Sequence, residues 1–128
     1  MESITLLPET IAQTDGTGPV VDLENSRQKL LGFTLGITRS SEQQSLEISV
    51  WGSEDRMHWG EKPLAVVPPK FYCGVYSILV NLAFRPAVKY LRVDWRMKRW
   101  SRNEAGPMFG FYAFAEESGS RLAARAVA

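Results

Sequence analysis

The residues that could perform acid–base or nucleophilic chemistry lie in one short segment, Ser53–Trp59. His58 is the only histidine in the chain, so a paired-histidine metal site is excluded and a serine–histidine–acid arrangement would have to use this one residue. No nucleophile-elbow motif stands beside it. Glu54 and Asp55 could supply half of a glycosidase carboxylate pair, but carboxylates in loops usually cap turns. We therefore predict that the protein is not an enzyme and has no catalytic residue.

Cofactor and metal binding also lack a sequence signature. The chain contains neither a dinucleotide-binding glycine motif nor a P-loop. Asp15 and Asp22 could bind calcium, but no spaced series of Asp and Asn supports such a site. Cys73 is the only cysteine, which excludes an internal disulfide and fits a reducing compartment. We expect Cys73 to be a small buried apolar residue, and we predict no cofactor and no metal.

Aromatic and basic side chains point instead to binding. Exposed aromatic residues beside arginine are typical anchors of protein interfaces. The candidate interface residues are Trp51, Tyr72, Arg92, Arg96, Lys98, Arg99 and Trp100. The four basic residues of this list, Arg92, Arg96, Lys98 and Arg99, could also contact phosphates, together with Arg102. Because this basic stripe is short and the rest of the chain is acidic or neutral, nucleic acid is not the expected partner.

A strand predicted at Val88–Trp100 positions these basic residues. Its side chains alternate with a period of two, so successive residues face opposite sides of a sheet. One side carries Leu91, Val93, Trp95 and Met97, and the other carries Tyr90, Arg92, Asp94, Arg96 and Lys98. The pattern predicts a half-buried strand with a basic outer face.

Similar alternation predicts the other strands. They fall at Ile4–Leu7, Val20–Leu23, Leu31–Thr38, Leu46–Trp51, Val75–Leu82 and Met108–Ala115. Pro68 and Pro69 cannot lie in a central strand. Short strands separated by turns predict an all-β fold, an antiparallel two-sheet β-sandwich of jelly-roll type. The predicted core consists of Phe33, Leu35, Ile37, Ile48, Val50, Ile78, Val80, Leu91, Val93, Trp95, Phe109 and Phe111.

Composition fits a single soluble domain. The chain has 128 residues, of which 45% are hydrophobic and 23% charged. We predict one sandwich domain over residues 1–117 and a C-terminal tail over residues 118–128. No apolar run is long enough to span a bilayer and Met1–Thr10 does not resemble a secretory signal, so we expect a cytoplasmic protein without membrane contact. Acidic residues concentrate in Met1–Ser26 and basic ones in Arg85–Arg102, a separation that would steer contacts between surfaces.

Two motifs carry a family resemblance. Leu46–Trp59 is similar to the pattern of a strand followed by Gly-Ser-x-Asp-Gly-x-x-Trp, which discoidin-type (coagulation factor 5/8 C-like) domains share with small jelly-roll proteins of tailed phages. Lys89–Val93 matches the Arg-Tyr-Leu-Arg-Val strand of both groups, and the opening Ile4–Leu23 resembles the phage group more closely. Arg56 departs from the pattern, because it stands where the pattern has glycine.

The resemblance implies two alternative functions. The first is a non-enzymatic assembly module similar to accessory (decoration-like) proteins of phage or phage-like particles, which would form a homo-oligomer, bind a shell protein, or both. The second is a glycan-binding module like discoidin or lectin sandwiches. In that alternative Trp51, Trp59 and Tyr72 would stack on a sugar ring, and Asp55 and Arg56 would bond its hydroxyl groups.

Overall fold

The structure, a computed structural model, describes residues 3–23, 30–40, 44–99 and 108–117, and all the regular elements in these ranges are strands. None of the described residues belongs to a helix that could cross a membrane. The strands are β1 (Ile4–Ala12), β2 (Gly16–Thr17), β3 (Val21–Asp22), β4 (Leu30–Ser40), β5 (Gln44–Ser53), β6 (Ala65–Lys70), β7 (Gly74–Asn81), β8 (Tyr90–Arg99) and β9 (Phe109–Glu117).

These strands form two antiparallel sheets. Sheet I has the order β1-β9-β4-β7, and sheet II has the order β2-β8-β5-β6, with β3 also pairing with β8. The chain passes repeatedly from one sheet to the other, so strands that are neighbours in sheet I are distant in sequence. This alternation between the four-stranded sheet I and the five-stranded sheet II is the jelly-roll arrangement. The predicted fold class is therefore confirmed.

The core lies between the two sheets and follows the alternation of the strands. Of the predicted core residues, all are buried except Ile78 and Trp95, which are partly buried and pack against the core. Trp95 packs edge-on against Phe111, with ring centroids 5.4 Å apart. Its indole N–H donates to the Thr14 carbonyl oxygen at 2.9 Å. The indole therefore lies at the margin of the core, where one edge reaches a polar partner.

Strand β6 was not predicted, because it contains Pro68 and Pro69. It pairs with β5 at the edge of sheet II, and the register shifts between Leu46 and Ile48. An edge strand tolerates proline because one side of its backbone needs no partner in the sheet. The expectation that these prolines avoid a central strand is therefore correct, because β6 lies at the edge of its sheet.

The prediction that Cys73 is buried was wrong. Cys73 lies in the short connection between β6 and β7 and is exposed, with its Sγ atom 3.7 Å from the Ser40 Oγ. Connections between strands run over the surface, so an apolar side chain there has no core to enter. Strand β9 ends at Glu117, and the predicted tail, residues 118–128, lies outside the described residues.

Candidate functional site

The outer side of β5 and β8 is a surface that we call the charged face. It is formed by side chains that alternate with the buried residues of the two central strands of sheet II. Antiparallel pairing places its residues opposite one another, as Trp51 with Arg92, Ser49 with Asp94, Glu47 with Arg96 and Ser45 with Lys98.

Arg92 is the best-fixed cation of the charged face. Its Nε and second terminal nitrogen donate to the two carboxylate oxygens of Asp94 at 2.9 and 3.1 Å. Its guanidinium also lies 4.5 Å from the centre of the Trp59 ring. A bidentate ion pair and a cation–π contact together hold this side chain in one place. Arg92 thus has two tryptophan neighbours, Trp59 by ring contact and Trp51 by pairing across the strands.

The loop that follows β5 is organised by Asp55. Its Oδ1 atom accepts hydrogen bonds from the Ser53 hydroxyl at 3.0 Å and from the backbone N–H groups of Met57 and His58 at 2.9 Å. Its Oδ2 atom lies 2.6 Å from the His58 Nδ1. The bonds from His58 hold the pKa of the Asp55 carboxyl well below its usual range, and the same carboxylate raises the pKa of His58.

Ser53, Asp55 and His58 do not have the order of a catalytic triad. In a triad the histidine lies between the acid and the nucleophile, whereas here Asp55 lies between Ser53 and His58. Ser53 is also buried, and its oxygen accepts the backbone N–H groups of Asp55 and Arg56 at 3.2 and 3.0 Å. These contacts brace the loop against the end of β5.

Arg56 stands where the discoidin and phage pattern has glycine, and its φ angle is 69°. The turn thus keeps the left-handed conformation that glycine would adopt without steric cost. The Arg56 guanidinium lies 4.6 Å from the centre of the Tyr90 ring on the charged face. The arginine therefore connects the loop to β8, which glycine could not do.

An open groove of about 570 Å³ lies on the charged face beside the loop. The indole of Trp51 lines it, and its N–H donates to the Ser49 Oγ at 2.9 Å. The other polar lining residues include Asp15, Glu47, Glu61, Asp94 and Arg96. Within the described ranges, no group of three or more His, Cys, Asp or Glu side chains could hold a metal ion.

The outer side of sheet I is very different, and we call it the aromatic face. Tyr112 and Phe114 of β9 stack there with parallel rings, 6.3 Å between centroids and 4° between planes. The neighbouring residues Val75 and Leu79 of β7 are exposed on the same side. The alternation in the sequence places Tyr112 and Phe114 on the opposite side of the strand from Phe109 and Phe111. It did not predict that Tyr112 and Phe114 form part of an exposed aromatic surface.

The structure brings together four of the predicted interface residues, Trp51, Arg92, Arg96 and Lys98, on the charged face. Tyr72 is exposed but lies far from Trp51. It comes two residues after Lys70, which pairs with Leu46, and Leu46 is about 17 Å along β5 from Trp51. The Arg99 side chain, Trp100 and Arg102 lie outside the described residues.

The residues of the glycan alternative are likewise divided. Asp55, Arg56 and Trp59 lie in the loop at one end of the charged face and reach it through Arg56 and Arg92. Trp51 lies at the same end. Tyr72 does not join this group.

Comparison with known proteins shows similarity of structure. No family model matches the chain, and no curated protein matches it. The SPBc2 prophage-derived protein YomS is similar over 90% of this chain and 92% of its own, with 12% identity and a TM-score of 0.47. Structures of the Gx and Gt strains of infectious bursal disease virus each contain a chain that is 10% identical over 92% of this chain, with a TM-score of 0.50. This protein spans about a third of the length of those viral chains. The viral similarity shows a shared β-sandwich fold.

Proposed function

We propose that this protein is a non-enzymatic structural module that assembles with copies of itself. The copies would assemble either within a phage-like particle, as an accessory component, or in the cytoplasm before they are incorporated into the particle. The observation that supports this most is the edge of sheet I at β7, which has no strand partner among the described residues and lies next to the aromatic face.

Strand β7 ends the order of sheet I, and its outer side has no strand partner among the described residues. Exposed strand edges normally carry charges or prolines, which prevent pairing with another chain. The β6 edge of sheet II has Pro68, Pro69 and Lys70, whereas β7 contains none of these residue types and no charge. An unpaired strand edge is best satisfied by another strand, and an antiparallel β7 from a second copy would join two sheets about a two-fold axis.

The aromatic face lies directly beside this edge. Gly36 pairs with Tyr112 on one side and with Val75 of β7 on the other, so the three positions share the outer side of sheet I. A β-carbon at Gly36 would lie in the Tyr112 ring, which shows that the ring lies over the glycine. The outward residues in the rows of Gly36 and Thr34 are Val75, Ser77, Tyr112 and Phe114, none of which is charged. Glu116 of β9 follows in the next row, with Gly32 and Leu79. Such an uncharged surface with aromatic residues resembles the core of a protein interface.

The shared sandwich fold of the infectious bursal disease virus chains supports a place in a particle. The opposite sheet remains free in the proposed assembly, because its charged face points away from the aromatic face. A shell protein could therefore be contacted without disturbing the β7 edge.

Sedimentation velocity over a range of protein concentrations tests this assembly. A lysine introduced by Leu79→Lys would place a charge on the β7 edge, and we expect the oligomer to dissociate to the monomer. Val66→Lys is the matched control, because Val66 is also an exposed apolar residue of an edge strand, but in sheet II. Circular dichroism should show a native β spectrum for both variants.

A parent protein that stays monomeric at high concentration would contradict the proposal. So would a folded Leu79→Lys variant with the same mass as the parent, because the β7 edge would then be outside the interface.

A further inference from the structure

We propose that the groove on the charged face is a binding site for neutral hexose residues of a glycan. This site is separate from the β7 edge and the aromatic face, so it goes beyond the assembly function and does not depend on it.

Trp51 supplies the apolar part of the site. Its indole N–H already donates a hydrogen bond to Ser49 of the same strand, and this bond directs the indole along β5. A ligand would therefore contact the flat surface of the ring and not the N–H group. The side chain is partly exposed and lines the groove. A pyranose ring has one side made mostly of C–H groups, and such a surface packs well on an aromatic ring that is already fixed in position.

The polar residues of the groove are of two kinds. Asp94 and Asp15 are fixed, the first by Arg92 and the second by the Met97 backbone N–H, which donates to its Oδ1 atom at 2.7 Å. Glu47, Glu61 and Arg96 show no hydrogen bond or ion pair to other described residues. Within the part of the chain that the structure describes, they thus offer acceptors and donors without a partner. Sugar hydroxyl groups both donate and accept, so adjacent carboxylate and guanidinium groups match them.

The charge of the groove selects among saccharides. Four carboxylates, from Asp15, Glu47, Glu61 and Asp94, line it together with the cation Arg96. Arg92, beside the groove, neutralises Asp94 through their ion pair, so a net excess of two negative charges remains. An excess of negative charge repels anionic ligands and lowers their rate of association. Uronic acids, sialic acids and sulfated sugars would therefore bind poorly, and neutral hexoses are the class that fits. The groove volume of about 570 Å³ lies within the range of small-molecule sites.

Binding can be measured on biosensor surfaces that carry mannohexaose, maltohexaose, cellohexaose or a galactose-terminated oligosaccharide. Surfaces carrying heparin oligosaccharide, polygalacturonate or a lysine-rich peptide serve as competing ligand classes. We expect binding to at least one neutral oligosaccharide and none to the two anionic surfaces.

Variants connect the binding to the groove. Trp51→Ala should weaken binding about tenfold or more, as expected for the loss of a central aromatic contact. Glu47→Gln keeps the side-chain shape and should also weaken binding, which tests the site even if Trp51→Ala folds poorly. Tyr72→Ala is the matched control, since it removes an exposed aromatic ring far from the groove. Leu79→Lys should retain glycan binding, which separates this site from the assembly surface.

Three results would overturn the proposal. They are binding to none of the neutral oligosaccharides, stronger binding to an anionic surface or to the peptide, and neutral-glycan binding that survives both Trp51→Ala and Glu47→Gln. In each case the oligomer mass would still report separately on the assembly function.

Discussion

At the residue scale, one carboxylate determines the shape of the loop after β5. Asp55 accepts hydrogen bonds from the backbone of two later residues and from the side chains of Ser53 and His58. The sequence indicated that a loop carboxylate usually caps a turn, which is what Asp55 does. The exposed His58 thus serves as one of its partners.

The first prediction concerns the titration of His58. Asp55→Asn should lower the pKa of His58 towards its ordinary value, because the neighbouring negative charge is removed. Glu54→Gln is the control, since Glu54 does not contact the ring. The pH dependence of the His58 ring proton signals in NMR spectra measures the pKa, and equal values in Asp55→Asn and in the parent would refute the interaction.

The Asp55–His58 pair also predicts how the stability of the loop changes with pH. His58 contributes stability below its ordinary pKa, and this contribution is lost as the pH rises through the raised pKa of the folded state. Asp55 contributes above its ordinary pKa, and its contribution is lost as the pH falls through the lowered one. Loop protection against proteolysis should therefore be greatest between the ordinary pKa values of Asp and His, and a monotonic dependence across that window would contradict this.

The second prediction concerns Arg56. An arginine in the left-handed region costs about 1 to 2 kcal/mol relative to glycine, while its contact with Tyr90 is worth about 0.5 to 1 kcal/mol. Arg56→Gly should therefore be at least as stable as the parent. Arg56→Ala loses the contact and keeps the strain, so urea unfolding should rank it lowest. An alanine variant as stable as the glycine variant would show that the backbone is not strained.

The third prediction concerns Trp95. Trp95→Ala should reduce the free energy of unfolding by about 3 kcal/mol, because it leaves a cavity beside Phe111 and an unpaired carbonyl at Thr14. Trp59→Ala is the control, because Trp59 contacts Arg92 at the surface. If both variants unfold at the same urea concentration, Trp95 does not contribute to the core.

At the element scale, alternation predicted the strands that have one buried side. Phe33, Leu35 and Ile37 of β4, and Leu91 and Val93 of β8, are buried as their period of two indicates. Strand β6 escaped prediction because its prolines obscure the pattern, and an edge strand is identified only by the strand order of the folded sheet. The partners of each strand depend on contacts that are distant in sequence, which periodicity does not contain.

The fourth prediction concerns the support of the aromatic face by β4. Gly36→Val suits a strand by propensity, but its β-carbon would collide with the Tyr112 ring. We expect the ring to leave its stacked position on Phe114 and the variant to lose about 1 to 3 kcal/mol of stability. Thr34→Val, at a neighbouring outward position of β4, is the control. A near-ultraviolet circular dichroism spectrum unchanged by Gly36→Val would contradict the close packing of Tyr112 on β4.

At the scale of the whole molecule, the two sheets present outer faces of opposite character. The charged face could be anticipated from sequence, since Trp51, Arg92 and Arg96 occupy outward positions of strands that were predicted correctly. The aromatic face could not, because Tyr112 and Leu79 come together only through the order of β9, β4 and β7. Which edge lacks a partner is likewise a property of the assembled sheets.

Hydrogen exchange at β7 tests the central claim, assembly through this edge, most directly. Amides that pair with a second copy become protected when the oligomer forms, whereas amides at an unpaired edge exchange by local opening. We predict that protection of residues 74–81 increases with protein concentration in the parent and not in Leu79→Lys. Protection of the β6 edge should stay constant in both. The contrary result would be exchange at β7 that does not change with protein concentration while the oligomer mass of the parent increases. That result would show that assembly uses another surface, and it would contradict the account.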